Sequence, residues 1–408
     1  MEKKGRNASS LKVYNRALLL NIIRKNRGIS RIELAKMTGL TKGGITPIIS
    51  DLLRLKIIRE CGTFNTPSGR RPVGLEINPH RFSVIALDFK RVKYTLGLVN
   101  FGGEIEYVEE YQYRDVDTFE NIFEQMFSSI YDLLIKNEGK KIIGIGVTAP
   151  GPLDYKNGVI VCPPNFFGME NIPIKRIFQE KFNLPVYLDN NANAFALAEK
   201  HYGSAKDYRD FIYLAVDEGI GAGVVINETI YRGRGGFGSE IGHTTIDING
   251  PRCSCGNYGC VELYASVPNL VKRIDSAVAS GRSNSAFLSR IRAKRPLEWN
   301  DVLKGLNLGD PVCREHMEKE AEYLGAIIVT AVNLLEPQAV IIGSKLSACG
   351  EHILNPLKKY VYARSVTRNI HKPDLYASNM SYGALVGGAT MVINHFVDGD
   401  LGEYEEIL

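Results

Sequence analysis

Between Glu240 and Glu262 the chain reads EIGHTTIDINGPRCSCGNYGCVE, and here the residue types and spacing are those of a metal site. His243, Cys253, Cys255 and Cys260 fall within eighteen residues. Three thiolates and one imidazole are the right kinds and number of ligands for a closed tetrahedral Zn²⁺ site, with no fourth position left for a catalytic water. Gly256 and Gly259 let the loop between Cys255 and Cys260 turn sharply enough for the sulfurs to converge. The carboxylates of Glu240 and Glu262 flank the set and suit the supporting shell that metal ligands need. The alternative is a group of small buried cysteines or a disulfide, and a disulfide leaves His243 without a role.

A chain of 408 residues is long for one domain and suits two or three. It has no run of eighteen apolar residues, and MEKKGRNASSLKVYNR has no apolar core, so neither a membrane span nor a secretory signal is expected. Seven cysteines, three of them clustered beside a histidine, fit a reducing cytoplasm better than a disulfide framework. Charge divides the chain. Residues 1–78 carry 16 Lys and Arg against 5 Asp and Glu, whereas the remainder carries 34 against 40. A basic head on a mildly acidic body points to a polyanion as the partner of the head.

The head has the periodicity of three helices. Leu11, Leu18, Leu19, Ile22 and Ile23 recur at helical spacing up to a stop at Asn26-Arg27-Gly28. Ser30 with Glu33 three residues on is a capping box opening a second helix. A turn at Thr38-Gly39-Leu40 leads to Thr41, which caps a third helix holding Ile45, Ile48, Ile49, Leu52, Leu53 and Leu55. Helix, glycine turn, helix is the arrangement that offers its second member to a DNA major groove, with Thr41, Lys42 and Thr46 on the groove-facing start. Pro47 removes one backbone hydrogen bond there and is expected to bend the helix or make its start irregular.

Ser239-Glu240-Ile241-Gly242-His243 followed by Cys253-x-Cys255-Gly256-x-x-Gly259-Cys260-x-Glu262 resembles the signature of the ROK family, which comprises bacterial sugar kinases and sugar-responsive repressors. The resemblance runs from about residue 11 to about residue 395. It implies an α/β fold: an N-terminal winged helix-turn-helix over 1–80, then a two-lobed actin-like, ribonuclease-H-type ATPase or sugar-kinase fold, with an N-lobe over 81–200 and a C-lobe with the zinc loop over 201–408. It also implies a structural Zn²⁺ on His243, Cys253, Cys255 and Cys260. Gly69-Arg70-Arg71-Pro72 is similar to the family's wing, where Arg70 and Arg71 either enter an A·T-rich minor groove or touch phosphate.

Against the kinases of that family the nucleotide side departs at three places. Asp88-Phe89-Lys90-Arg91 has no glycine where the phosphates approach, Glu218 brings a negative charge to the second phosphate loop, and Gly343-Ser344-Lys345 lacks the usual glycine pair or triplet. In Asp189-Asn190-Asn191-Ala192-Asn193, Asn191 stands where the resemblance implies an Asp general base, and a carboxamide accepts no proton at neutral pH. The sugar side keeps Asn190, Asn191, Glu240, His243 and Glu262, the Ala149-Pro150-Gly151-Pro152 turn and Pro164-Asn165, with Met169 where a Trp is common. The expectation is therefore a cytoplasmic regulator without catalytic activity, read as a repressor. It binds double-stranded operator DNA as a homodimer or dimer of dimers, takes a sugar or sugar derivative as effector, and has no membrane partner. The alternatives are an ATP-dependent sugar kinase with a DNA-binding domain, and a regulator controlled by a protein partner.

Overall fold

The apolar face of the first helix decides where the head sits. In the computed structural model, which describes residues 8–63, 73–114, 117–163, 166, 170–281, 284–399 and 401, helix α1 (Ala8–Lys25) buries Leu19, Leu20 and Ile23. Strand β1 (Ile29–Ser30) follows, then α2 (Arg31–Thr38), whose capping box is formed: the Glu33 amide donates to Ser30 Oγ at 3.3 Å, and the Ser30 amide donates to the Glu33 carboxylate at 2.8 Å. The Ser30 amide and the Ser30 hydroxyl, which also donates to that carboxylate at 2.7 Å, hold the Glu33 carboxyl below its ordinary value. Helix α3 (Lys42–Arg54) is capped by Thr41 and runs unbroken through Pro47 while burying Ile45, Ile48, Ile49 and Leu52. Strands β2 (Ile58–Thr63) and β3 (Val73–Ile77) pair antiparallel, and β3 also pairs with β1, giving a three-stranded winged helix-turn-helix. The wing tip with Arg70 and Arg71 lies outside the described residues.

The body opens with β4 (Ser83–Phe89), β5 (Lys93–Asn100), β6 (Ile105–Gln112), α4 (Phe119–Lys136), β7 (Ile142–Ala149), the small hairpin β8 (Leu153–Asp154) and β9 (Val159–Ile160), α5 (Ile174–Phe182), β10 (Val186–Asn190) and α6 (Asn191–Tyr202). The second half holds β11 (Phe211–Val216), β12 (Ile220–Ile226), β13 (Thr229–Ile230), α7 (Glu262–Ala265), α8 (Val267–Ala279), α9 (Ala286–Arg292), α10 (Trp299–Asn307), α11 (Pro311–Leu335), β14 (Ala339–Gly343), α12 (Glu351–Arg364), β15 (Asp374–Ala377) and α13 (Gly383–Asp398). The sheets are ordered β6-β5-β4-β7-β10 and β13-β12-β11-β14-β15. Each has an antiparallel three-strand meander with two parallel strands added on the other side of its first strand. The same order in both halves is the doubled ribonuclease-H-type architecture. Among the described residues no helix is long and apolar enough to cross a membrane.

Both faces of each sheet are covered, so the central strands are apolar throughout. In β4, Val84 and Ala86 meet α13, while Ile85, Leu87 and Phe89 share a core with α4 and α5. In β11, Ile212, Leu214 and Val216 face α8, α11 and α12, whereas Phe211 and Tyr213 face α6. Helices α6 and α13 thus lie between the two sheets and pack on each other. Their contact is backbone to backbone: a Cβ on Gly387 in α13 would stand 1.8 Å from the Ala194 carbonyl oxygen in α6. Gly387→Ala must force the helices apart and should cost at least about 2 kcal/mol of stability. Urea denaturation of the full chain reads this directly, and an unchanged midpoint would mean that the crossing is not as tight as described.

Candidate metal centre and interlobe cleft

His243 lies in a 3-10 turn over Ile241–His243, and Cys253, Cys255 and Cys260 lie in the loop that follows. All four ligand atoms lie within 4.8 Å of one another. The Cys253 Sγ to His243 Nδ1 and Cys255 Sγ to Cys260 Sγ separations are both 3.7 Å. Sulfurs at about 2.3 Å from a tetrahedral Zn²⁺ sit about 3.8 Å apart, whereas a disulfide needs about 2.05 Å. The donor set therefore fits a metal ion and not a disulfide. Burial pushes the Cys260 thiol up to about 12, the neighbouring sulfurs adding to the rise, whereas Cys253 is lowered to about 7, its burial outweighed by hydrogen bonds from Cys255, His243 and Cys260. Asn257 Nδ2 supports the cluster by donating to the His243 carbonyl at 3.0 Å and to Cys260 Sγ at 3.5 Å.

The cleft between the lobes gathers Asn190, Asn191, Glu240, His243 and Glu262 around Gly151. Asn190 ends β10 and caps α6, its Oδ1 accepting from the Ala192 amide at 2.8 Å, so its amide group remains as the donor toward the cleft. Asn191 has the reverse arrangement. Its Nδ2 donates to Asp88 Oδ1 in a short bond and to the Phe89 carbonyl at 3.0 Å, leaving its oxygen as the acceptor. Each asparagine thus offers one half of the donor and acceptor pair that the sequence suggests. Asp88 also accepts from Thr148 Oγ1 at 2.7 Å, and burial raises its carboxyl above the ordinary value despite Lys90. Burial likewise raises Glu240, with His243 opposing the rise and Glu262 adding to it. Glu262 Oε2 accepts from the Ile220 amide at 2.9 Å, and its Oε1 lies 3.7 Å from Arg91.

Beside this polar pocket the two lobes are joined by charge. Lys90 Nζ from the N-lobe stands 3.2 Å from Asp217 Oδ2, Lys345 Nζ stands 3.1 Å from Asp217 Oδ1, and Lys345 also pairs closely with Glu218. Burial opposes both charges, yet the pairing prevails: Asp217 is held below its ordinary value by Lys90 and Lys345, and Lys90 is raised by Asp88 and Asp217. Arg91 adds a contact of 3.4 Å to the Glu218 carbonyl. The sequence marks Lys90, Arg91, Glu218 and Lys345 only as departures on the nucleotide side. Their mutual pairing spans 127 residues and carries no local signal. Phe195, stacked on Tyr213 at 5.1 Å, completes the apolar wall and was not foreseeable from its neighbours.

On the head, Thr41, Lys42 and Thr46 are all exposed on the first turns of α3. Thr41 Oγ1 accepts the Gly44 amide at 3.2 Å, and Thr46 Oγ1 donates to the Lys42 carbonyl at 2.8 Å. The Thr41 hydroxyl hydrogen, the Thr46 methyl and the Lys42 ammonium remain for a partner. Pro164, Asn165 and Met169, like Arg70 and Arg71, lie outside the described residues.

A sequence model of the ROK family matches residues 84–395. The xylose repressor of Caldicellulosiruptor bescii is 33% identical over 401 residues, covering 95% of this chain and 97% of that protein. A crystal structure of a ROK family transcriptional regulator, a homologue of the Escherichia coli Mlc protein, superimposes with a TM-score of 0.82 at 25% identity, covering 95% of this chain and 97% of its own. A ROK family glucokinase from Streptomyces griseus, solved in complex with glucose and AMPPNP, has a TM-score of 0.69 at 26% identity and covers 76% of this chain and 98% of its own.

The Asn191 to Asp88 bond has a consequence that pH exposes. Asn191→Asp sets a second carboxylate against a buried one, and the donor that Asp88 now uses is lost. Stability at neutral pH should fall by about 1–3 kcal/mol. A carboxyl whose folded pKa is raised binds its proton more tightly when folded. The deficit is therefore full above the raised value and shrinks as pH falls toward the ordinary carboxyl range. Urea titrations of both proteins at about pH 7.5 and about pH 5 compare the two gaps; equal gaps would contradict the carboxylate pair.

Proposed function

Because the chain belongs to the ROK family, we propose that it is a sugar-responsive transcriptional repressor of carbohydrate genes that binds a sugar in the interlobe cleft and operator DNA through the winged head. The observation that carries this reading is one cleft with two unlike halves. The polar half keeps donors and acceptors suited to sugar hydroxyls. The other is closed by the pairing of Lys90, Asp217, Lys345 and Glu218, and Asn191 donates a hydrogen bond to Asp88 where a base would have to accept a proton. Loss of a general base alone costs about 10²- to 10⁴-fold in rate. The chain is a receptor and not a kinase.

In this reading a sugar hydroxyl accepts from Asn190 Nδ2 and donates to the Asn191 oxygen, while Glu240 and Glu262 accept from further hydroxyls. A structural Zn²⁺ on His243, Cys253, Cys255 and Cys260 supplies no chemistry beyond fixing the loop. With Nδ1 on the metal side, the remaining ring nitrogen of His243 is an N–H donor toward the sugar. At the DNA, Lys42 neutralises phosphate, Thr41 and Thr46 approach base edges, and Arg70 and Arg71 serve the minor groove. A homodimer, or a dimer of dimers, places two heads on an imperfect palindrome one or two helical turns apart.

The direct test is a mobility-shift titration of fragments from upstream of the chain's own gene, with and without D-xylose, together with a coupled assay for sugar phosphorylation. Specific binding that falls steeply with salt and weakens with sugar is expected, with no phosphorylation above background. Equal affinity for operator-like and scrambled fragments, or turnover of about 1 s⁻¹ or more, would overturn the reading.

The metal assignment stands on its own test. Elemental analysis should find one zinc per chain, and Cys255→Ser, at an exposed ligand position, should lose it together with thermal stability. Retention of full zinc by that variant would rule the four-ligand site out.

A further inference from the structure

The end of α1 touches both halves of the body through a single side chain. Arg24 Nη1 donates to Asn394 Oδ1 of α13 at 2.6 Å, and Nη2 donates to the Tyr202 hydroxyl of α6 at 2.7 Å. Its guanidinium also lies 5.3 Å from the centre of the Tyr202 ring, and its buried Nε has no hydrogen-bond partner among the described residues. The two partner helices belong to different lobes. Helix α13 packs against the N-lobe sheet through Leu385, Ala389, Val392 and Ile393, which share a core with Val84, Ala86 and Ile143. Helix α6 packs against the C-lobe sheet through Phe195 and Ala196, which share a core with Phe211 and Tyr213.

The far end of α6 is fastened to the C-lobe. Lys200, only 5% exposed, donates to the carbonyls of Lys206 and Tyr208 at 3.1 and 2.6 Å on the approach to β11. Glu199 accepts from the Ser204 amide at 2.9 Å and from Ser378. Next to Arg24, Lys25 reaches Glu228 in the turn between β12 and β13 at 2.6 Å. That pair is half exposed and holds little by itself. The rest of α1 is seated on α13: Asn21 donates to Asp398 at 3.0 Å, and Leu19, Leu20 and Ile23 share the apolar core with Val392, Ile393 and Phe396. The near end of α6 is the cleft, where Asn190 caps the helix and Asn191 is its first residue. Twelve helical residues span about 18 Å, so one stiff rod joins the sugar pocket to Tyr202.

We infer that Arg24 is the positioning residue that couples the cleft to the DNA-binding head: by holding Asn394 on one lobe and Tyr202 on the other, it makes the set of α1 depend on the angle between the lobes. A planar guanidinium fork tolerates little change in the separation of its two acceptors. When the lobes turn about the crossing of α6 and α13, one bond must stretch or α1 must tilt. The two heads of a dimer then lose their common register on DNA. The inference rests on the sugar-responsive repressor reading, and it identifies the joint through which the response travels.

The test uses the full chain, Tyr202→Phe, which removes one hydrogen bond and keeps the ring, and Arg24→Ala. Operator-fragment affinity is measured with and without D-xylose, and D-xylose affinity by calorimetry. The unmodified chain should show a sugar-dependent loss of about 5- to 150-fold. Both variants should bind D-xylose within about twofold of it and respond by less than about threefold. Variants that keep the full response would overturn the inference. If the unmodified chain ignores D-xylose, that sugar reading fails, and the joint is judged without sugar. Operator binding should alter amide exchange over residues 191–202 in the unmodified chain and not in the variants. The same change in the variants, or no change in the unmodified chain, also overturns it.

Discussion

The molecule depends on one close approach, the crossing of α6 and α13 at Ala194 and Gly387. No side chain separates the two helices at that point, and a second contact of the same kind, Gly146 in β7 against the Gly388 carbonyl, ties α13 to the N-lobe sheet. Sheet, helix, helix, sheet are therefore linked in part through backbone atoms, which cannot compress. A cleft that opens or closes must do so by turning about this line. Asn190 and Asn191 at the start of α6 and Tyr202, which meets Arg24 at its end, sit at opposite ends of this linked stack.

The charge pattern in the cleft explains how such a scaffold can hold together without a nucleotide. Phosphates bridging two lobes would supply negative charge to cationic and amide groups on both sides. Here Asp217 and Glu218 supply it from within the chain, and Lys90, Arg91 and Lys345 answer. The pairs are partly buried, so their attraction is less screened than that of surface pairs, while desolvation takes back much of the gain. The balance favours an arrangement that is satisfied when closed and not strongly locked. That suits a receptor whose lobes respond to a small neutral ligand.

Local signals are legible in the chain and distant pairings are not. The capping box of Ser30 and Glu33 and the Thr41 cap arise from residues a few positions apart, and the structure contains both. The convergence of His243 with three cysteines also follows from spacing within one loop. By contrast, the partner of Asn191 lies 103 residues away, and the partners of Arg24 lie 178 and 370 residues away. Nothing in the neighbours of an arginine at the end of a basic helix separates a tether to the body from a phosphate contact. Likewise, Asn190 and Asn191 look alike in sequence, and only the fold assigns the acceptor of one to a helix cap and the donor of the other to a buried carboxylate.

The metal loop and the charged joint are parts of the same brace. Gly242, one residue before His243, presses on the Ile220 carbonyl so closely that a Cβ would stand 2.0 Å from it, and Glu262, two residues after Cys260, accepts the Ile220 amide. Ile220 is the first residue of β12, directly after the turn that carries Asp217, Glu218 and Gly219. An ion held by the four ligands would fix both ends of a grip on Ile220, whose position in turn bears on where Asp217 and Glu218 stand relative to Lys90. A metal at that cluster would in this way bear on how firmly the lobes meet without touching a ligand in the cleft, because the same loop carries Glu240, His243 and Glu262 to the cleft.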